Sequence, residues 1–331
     1  MEGAISSCTN QAGLYLMSDA LCILGASGLI GSACKRLFSR DPSYSLLCPT
    51  RKELDLLKKD DVISYFATHQ PKFVILAAGF VGGIQHNLSF PADLLTKNLS
   101  IQLHVFEAAQ KFEIKRMVFY ASSCMYPKTS PQPLQESSLF KGEVELTSMS
   151  YAMAKLAGVQ MARAFNAQYG EGRFLALIPN TVYGPHAHFD PNVGHVVSAL
   201  MARLHEAKEE GKPRVTLWGD GTPRREFIHC DDVASATSFL LKHPTVEAVP
   251  INIGVGYDVS IKELALLLQR IVGYEGALDW DASKPNGAPR KLLDSHLIEQ
   301  LGWKHGVDLP QGLAATYDWY ANTMRQQWIL Q

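Results

Sequence analysis

The chain has 331 residues, 47% hydrophobic and 19% charged, with a formal net charge of -1 at pH 7. This is the balance of a folded globular protein with room for two domains. Its near-neutrality gives no electrostatic reason to expect nucleic acid or an anionic membrane as partner. The six cysteines, Cys8, Cys22, Cys34, Cys48, Cys124 and Cys230, lack paired C-x-x-C spacing, so neither a metal site nor a disulfide framework is expected. Free thiols fit a reducing cytoplasm. No apolar run reaches the roughly eighteen residues that would span a bilayer. Residues 1–17 carry Glu2 and no basic residue ahead of their apolar part, which argues against a secretory signal. They read as a disordered extension, with Met17 as an alternative start.

The apolar run 21–24 meets Gly25-Ala26-Ser27-Gly28-Leu29-Ile30-Gly31, and a helical pattern through Ala33, Leu37 and Phe38 follows. Strand, glycine turn and helix in this order predict a dinucleotide site on Gly25, Ser27, Gly28, Leu29, Ile30 and Gly31. The glycines permit a tight turn, and a pyrophosphate would sit on the positive end of the helix. A second strand, 45–48, leads into Pro49-Thr50-Arg51-Lys52. A site for NAD usually carries an acidic residue here to bind the ribose 2′-hydroxyl. Arg51 and Lys52 would instead neutralise a 2′-phosphate, which favours NADP(H). Asp55 is placed on the adenine side.

The strand 73–78 ends on Ala77 and Ala78, small residues beside which a cofactor can lie close to the backbone. A helix over 92–111 and a strand over 116–121 follow. That strand runs into Ser122-Ser123-Cys124, and Met125-Tyr126-Pro127 breaks it into a loop. A helix over 151–169 opens on Tyr151 and Lys155. Four apart, they share one face, and an ammonium beside a phenol favours the phenolate, making the tyrosine a usable proton donor and acceptor. After the strand 174–178 and Pro179-Asn180 the strand–helix rhythm loosens. The alternation predicts an α/β fold, a Rossmann-type doubly wound parallel sheet that binds ligands at its carboxyl edge. The expected nucleotide domain is 18–182 plus about 227–258. A smaller α/β substrate domain takes about 183–226 plus 259–331, with the active site in the cleft between.

Together, Gly25 to Gly31, Ser122-Ser123-Cys124-Met125-Tyr126-Pro127-Lys128 and Tyr151 to Lys155 resemble the extended short-chain dehydrogenase/reductases. Within that group the chain is similar to the epimerase-reductases of the GDP-L-fucose synthase type. The more particular signals are Val81-Gly82-Gly83-Ile84, Tyr183-Gly184-Pro185-His186 ahead of His195, the run from Trp218 to Phe227, and the run from Asp281 to Lys291.

The resemblance implies chemistry on a 4-keto sugar nucleotide, GDP-4-keto-6-deoxy-D-mannose. The C4 carbonyl acidifies the hydrogens on C3 and C5, so a base and an acid on opposite faces can invert both centres. By resemblance those roles fall on Cys124 and His195. NADPH then reduces C4 while Tyr151, held by Lys155 and helped by Ser122, gives the oxygen its proton. The resemblance adds Asn98, Pro179 and His195, with Tyr151 and Lys155, to the cofactor contacts. It assigns the GDP-sugar to Ser123, Asn180, Arg203, Trp218, Arg225 and Lys291. It also implies a homodimer joined through the helices at 92–111 and 151–169.

Many members carry lysine at Phe80, Thr-Asn at Asn180-Thr181, Asp-Asn-Phe at Ala187-His188-Phe189 and aspartate at Asn286. These departures leave the hexose open, GDP-L-colitose being one other product. A non-catalytic NADP-binding regulator is the remaining reading, and it would not require Ser122, Cys124, Tyr151, Lys155 and His195 together.

Overall fold

A computed structural model describes residues 18–170, 172–191, 194–243, 250–284 and 286–329. The expected extension 1–17, with Cys8 and Met17, lies outside the described residues. In chain order the elements begin with β1 (Asp19–Leu24), α1 (Leu29–Phe38), β2 (Tyr44–Leu47), α2 (Lys59–His69), β3 (Phe73–Leu76) and α3 (Ile84–Ser89). They continue with α4 (Pro91–Lys111), β4 (Arg116–Tyr120), α5 (Met149–Tyr169), β5 (Phe174–Pro179), β6 (Thr181–Tyr183) and α6 (Val196–Glu209). Next are β7 (Arg214–Trp218), β8 (Arg224–Arg225), β9 (Phe227–His229), α7 (Cys230–Lys242), β10 (Ile251–Ile253) and β11 (Val259–Ser260). The last are α8 (Ile261–Val272), β12 (Ala277–Asp281), β13 (Arg290–Lys291), α9 (His296–Gln300) and α10 (Leu309–Ile329).

Local chemistry accounts for several boundaries. Pro91, whose fixed φ suits a first helical turn, opens α4, and Asp93 follows within that turn. A capping box between Ser260 and Glu263 starts α8, and Gly273 in the left-handed region ends it.

Six strands form one parallel sheet in the order β10-β5-β4-β3-β1-β2. Successive side chains of β1 take opposite faces. Cys22 and Leu24 join Val62, Phe66, Val105, Phe106 and Val159 on the side of α2, α4 and α5. Leu21 and Ile23 join Cys34, Phe38, Val233 and Leu240 on the side of α1 and α7. Burial on both faces is why these strands read as continuous apolar runs. The chain moves from β1 outward to β2 and then returns to β3 on the other flank of β1. The carboxyl ends of β1 and β3 therefore bound the crevice where doubly wound sheets bind ligands.

A third cluster, with Val197, Met201, Leu204, Val215, Leu217, Leu264, Leu268 and Leu313, gathers α6, β7, α8 and α10 around a core of its own. Here β12 pairs with β7, and β8 lies between β11 and β13. Among the described residues no helix is long and apolar enough to cross a membrane.

Candidate active site

The turn after β1 is built by close approach. Gly25 has φ +89, and a Cβ there would lie 2.6 Å from the amide nitrogen of Ala78 at the end of β3. A Cβ on Gly31 would overlap the Gly25 carbonyl. A side chain at Gly25 would force these two strand ends apart, and one at Gly31 would push α1 off the turn. Gly28 caps α1 with no side-chain bond, and a Cβ there would meet only the Gly25 carbonyl, at 3.6 Å. The first turn of α1, with Leu29 and Ile30, thus opens its amide groups to the crevice beside exposed Ser27. An open, positive helix end over a glycine floor fits the diphosphate of a dinucleotide.

Beyond β2, Arg51 and Lys52 are exposed. The acidic neighbour Glu53 is turned onto the Thr50 amide at 2.7 Å, and Asp55 accepts from the Leu57 amide at 3.1 Å. Ala77 and Ala78 are half-buried in the crevice floor, and Pro179 ends β5 in register with Ile253. Asn98 is buried. Its Oδ1 accepts from Phe80 N at 3.0 Å, and its Nδ2 donates to Phe80 O at 2.8 Å and Leu94 O at 2.7 Å. With its amide spent on the main chain, Asn98 shapes the site by fastening the segment after β3.

The candidate catalytic wall forms where β4 ends. Ser122 is extended, and Ser123 to Met125 make one 3-10 turn in which the Ser122 hydroxyl accepts from the Cys124 amide at 3.4 Å. The same hydroxyl hydrogen-bonds the Tyr151 phenol and the Cys124 side chain. Lys155, one turn along α5 from Tyr151, is buried and donates to Tyr120 O at 2.8 Å. Its Nζ lies 5.6 Å from the centre of the Tyr151 ring. Burial lowers Lys155 to about 8.

The expectation of a low tyrosine pKa is corrected here. Burial, followed by the nearby Cys124 sulfur, pushes the phenol up, and only the Ser122 hydrogen bond opposes them. Tyr151 is therefore held protonated at neutral pH, the form a proton donor needs. Burial likewise raises the Cys124 thiol, against the Ser122 hydrogen bond and the charges of Lys291 and Lys155.

Three distant segments close over this wall. Ser123 Oγ donates to Asn180 Oδ1 at 3.1 Å, and Asn180 Nδ2 donates to Glu226 at 2.6 Å and to Lys291 O at 3.3 Å. In the β8–β13 pair, Arg224 faces Arg290 and Arg225 faces Lys291 in register. Arg224 and Arg290 both close on Asp258. Side-chain alternation sends Arg225 and Lys291 to the other face, where Lys291 interacts with Cys124 and both cations lose hydration.

Trp218 ends β7 with 57% of its surface exposed and Lys284 5.8 Å from its ring. Asn286 accepts from the Asp220 amide at 3.0 Å, a task aspartate could also perform. Arg203 spends its guanidinium on Pro191 O at 2.7 Å and Thr216 O at 3.4 Å. His195 caps α6, its carbonyl accepting from Ala199 N at 2.8 Å. The residue is exposed, and loss of hydration, followed by the charge of nearby His188, holds it below the usual histidine value.

Among the described residues, His229, Cys230 and Asp231 bring three possible metal-ligand atoms within 4.8 Å of one another. Arg36 already bonds Asp231 at 2.6 Å and supplies the positive charge there.

Residues 21–256 match the NAD dependent epimerase/dehydratase family. The chain belongs to this family. A member from Arabidopsis thaliana, GDP-L-fucose synthase 1, is 45% identical over 304 residues, covering 92% of this chain and 93% of that protein. The GDP-L-fucose synthase of Escherichia coli strain K12 is 41% identical, covering 90% and 95%. The fold of a GDP-mannoheptose C4 reductase from Campylobacter jejuni with NADP bound superposes with a TM-score of 0.83 at 33% identity, covering 92% and 98%.

The sequence reading assigned no role to Glu226 and no partner for Cys124 on β13. Glu226 stood inside a recognised motif that holds two acidic residues, Asp220 and Glu226, and its place between Arg225 and the apolar Phe227-Ile228 was the available signal. The approach of Lys291 to Cys124 spans 167 positions, by subtraction of their numbers, and no local pattern marks it.

Proposed function

We propose that this family member is an NADP-dependent epimerase-reductase that converts GDP-4-keto-6-deoxy-D-mannose to GDP-L-fucose. The observation that carries the reading is the joint presence of a thiol and a phenol on one serine hydroxyl, with buried Lys155 and half-buried Lys291 alongside. A reductase needs only the phenol. The thiol adds a second proton-transfer group over the same ring, matching an enolisation at C3 and C5 stabilised by the C4 ketone. Cys124 takes the proton on one face and His195 supplies one on the other. Tyr151 then protonates the C4 oxygen, and Lys155 stabilises the phenolate this leaves. NADPH, when bound, supplies the hydride. The names of the relatives, at 45% and 41% identity, support the same substrate. Incubating the protein with GDP-4-keto-6-deoxy-D-mannose and NADPH should oxidise the nicotinamide and give GDP-L-fucose by NMR. Turnover confined to another 4-keto sugar nucleotide would remove the fucose assignment.

The cofactor would lie on Gly25 to Gly31, with its adenosine toward Arg51 and Asp55. Arg51→Ala is expected to weaken NADPH about 10- to 100-fold, the loss of one charged hydrogen bond, and to leave NADH nearly unchanged. Titration of cofactor fluorescence measures both, and equal losses would refute a 2′-phosphate contact. For the GDP-sugar, Trp218 offers an exposed ring for a base, Arg225 and Lys291 offer charge for phosphates, and Ser123 and Asn180 line the sugar side. Arg203 would hold the 191 segment in place.

A nucleotide domain at 18–182 plus about 227–258 and a substrate domain from the remainder would set this site in their cleft. Exposed Leu103 on α4 and Met149 and Met153 on α5 support a homodimer through these helices. Light scattering at micromolar concentration should give twice the chain mass of 36.5 kDa; a stable monomer would sink that arrangement. The five described cysteines are all free, as a cytoplasmic protein's would be.

A further inference from the structure

Glu226 is fully buried, between β8 and β9, and its carboxylate accepts four hydrogen bonds. Oε1 receives the amides of Val255 at 2.7 Å and Gly256 at 2.9 Å. Oε2 receives the Leu293 amide at 3.0 Å and Asn180 Nδ2 at 2.6 Å. Among the described residues no cation is bonded to it, and an uncompensated buried charge is strongly unfavourable without such donors. The room is reserved for it: a Cβ on Gly254 would overlap this carboxylate.

The bond to Asn180 has a directional consequence. A carboxylate accepts only, so it takes the NH2 end of the Asn180 amide and turns the carbonyl end toward Ser123. The Ser123 hydroxyl must then donate to Asn180, at 3.1 Å. Ser123 is the first residue of the 3-10 turn whose next residue is Cys124, and its other neighbour is Ser122. The Leu293 bond holds the strand-end carrying Lys291, the cation beside the same thiol.

We propose that Glu226 is a positioning residue of the reaction, fixing the Asn180 amide so that Asn180 and Ser123 hold the Cys124 turn against the Lys291 strand. Both of its carboxylate oxygens are taken up by protein donors, so it acts through Asn180 and the Leu293 amide. This role rests on the epimerase-reductase reading above.

The test compares Glu226→Gln, Ser123→Ala and the double variant, using wild type as reference. The readout is deuterium exchange at C3 and C5 of GDP-4-keto-6-deoxy-D-mannose per NADPH-binding site. Glutamine keeps the size but presents its own NH2 to groups that need an acceptor. A misplaced turn should slow exchange about 10²-fold per site. The double variant should be no slower than the slower single, because both break one relay. Normal exchange per site with fewer binding sites would mean that Glu226 only supports folding, and strictly additive losses would mean that no relay exists; either overturns the proposal. If Glu226→Gln does not fold, Asn180→Leu takes its place in the same cycle with the same outcomes. Absence of exchange in wild type would sink the underlying reaction reading, and a wild-type rate in Glu226→Gln would sink the positioning role.

Discussion

Cys124→Ser is expected to slow solvent deuterium exchange at C3 and C5 of the 4-keto sugar nucleotide by about 10²- to 10⁴-fold, the usual contribution of a positioned acid–base group. Serine keeps the size and the bond geometry of the turn, so NADPH binding should stay within about twofold, well under the kilocalorie-scale loss of a charged contact. The reason lies in how the thiol is held. Burial raises its pKa, while Ser122 and the charges of Lys291 and Lys155 act to lower it. A serine hydroxyl in the same place is too weak an acid to be drawn into the ionised form. Because the thiolate is the active base, wild-type exchange should rise as pH is raised through neutrality toward and beyond the ordinary thiol range. NMR of the substrate in deuterated buffer measures the rate, and unchanged exchange in the variant would remove Cys124 as the base.

Tyr151→Phe should show the complementary defect: C4 reduction falls by about 10²- to 10⁴-fold, while exchange at C3 and C5 continues. Burial keeps the wild-type phenol protonated, ready to donate once hydride reaches C4. Donation leaves a phenolate, and the cation that offsets it is Lys155, whose pKa burial lowers to about 8. Reduction should therefore be steady below that pH and decline above it as Lys155 loses its proton, the opposite trend to exchange. The stability sign is separate. The folded-state pKa lies below the ordinary lysine value of 10.5, so the unfolded chain binds the extra proton between about 8 and 10.5, and stability rises with pH across that window. Single-turnover reduction followed by nicotinamide absorbance across pH 6 to 10 should show the falling limb, and its persistence in Lys155→Met would refute the assignment.

Much of this was legible because it is local. Periodicity and glycine spacing revealed the parallel sheet and the tight glycine turn after its first strand. The separation of four between Tyr151 and Lys155 placed both on one helical face. Even so, the local argument misjudged the phenol: spacing brings the ammonium near, but only packing reveals that burial outweighs it and that Lys155 is bonded to Tyr120 O. Folding also decides what the Asn98 amide does, bonding it to Phe80 and Leu94, which the sequence did not reveal.

By itself, then, the sequence determined the main elements, the glycine turn and the shared helical face of Tyr151 and Lys155, since each follows from neighbours within a few positions. The tertiary structure alone decided how those groups are tuned. Lys291 reaches Cys124 because β13 pairs with β8, and Asn180 is oriented because Glu226 arrives from another segment. Desolvation and hydrogen-bond direction depend on atoms brought together from across the chain, and no local pattern encodes them.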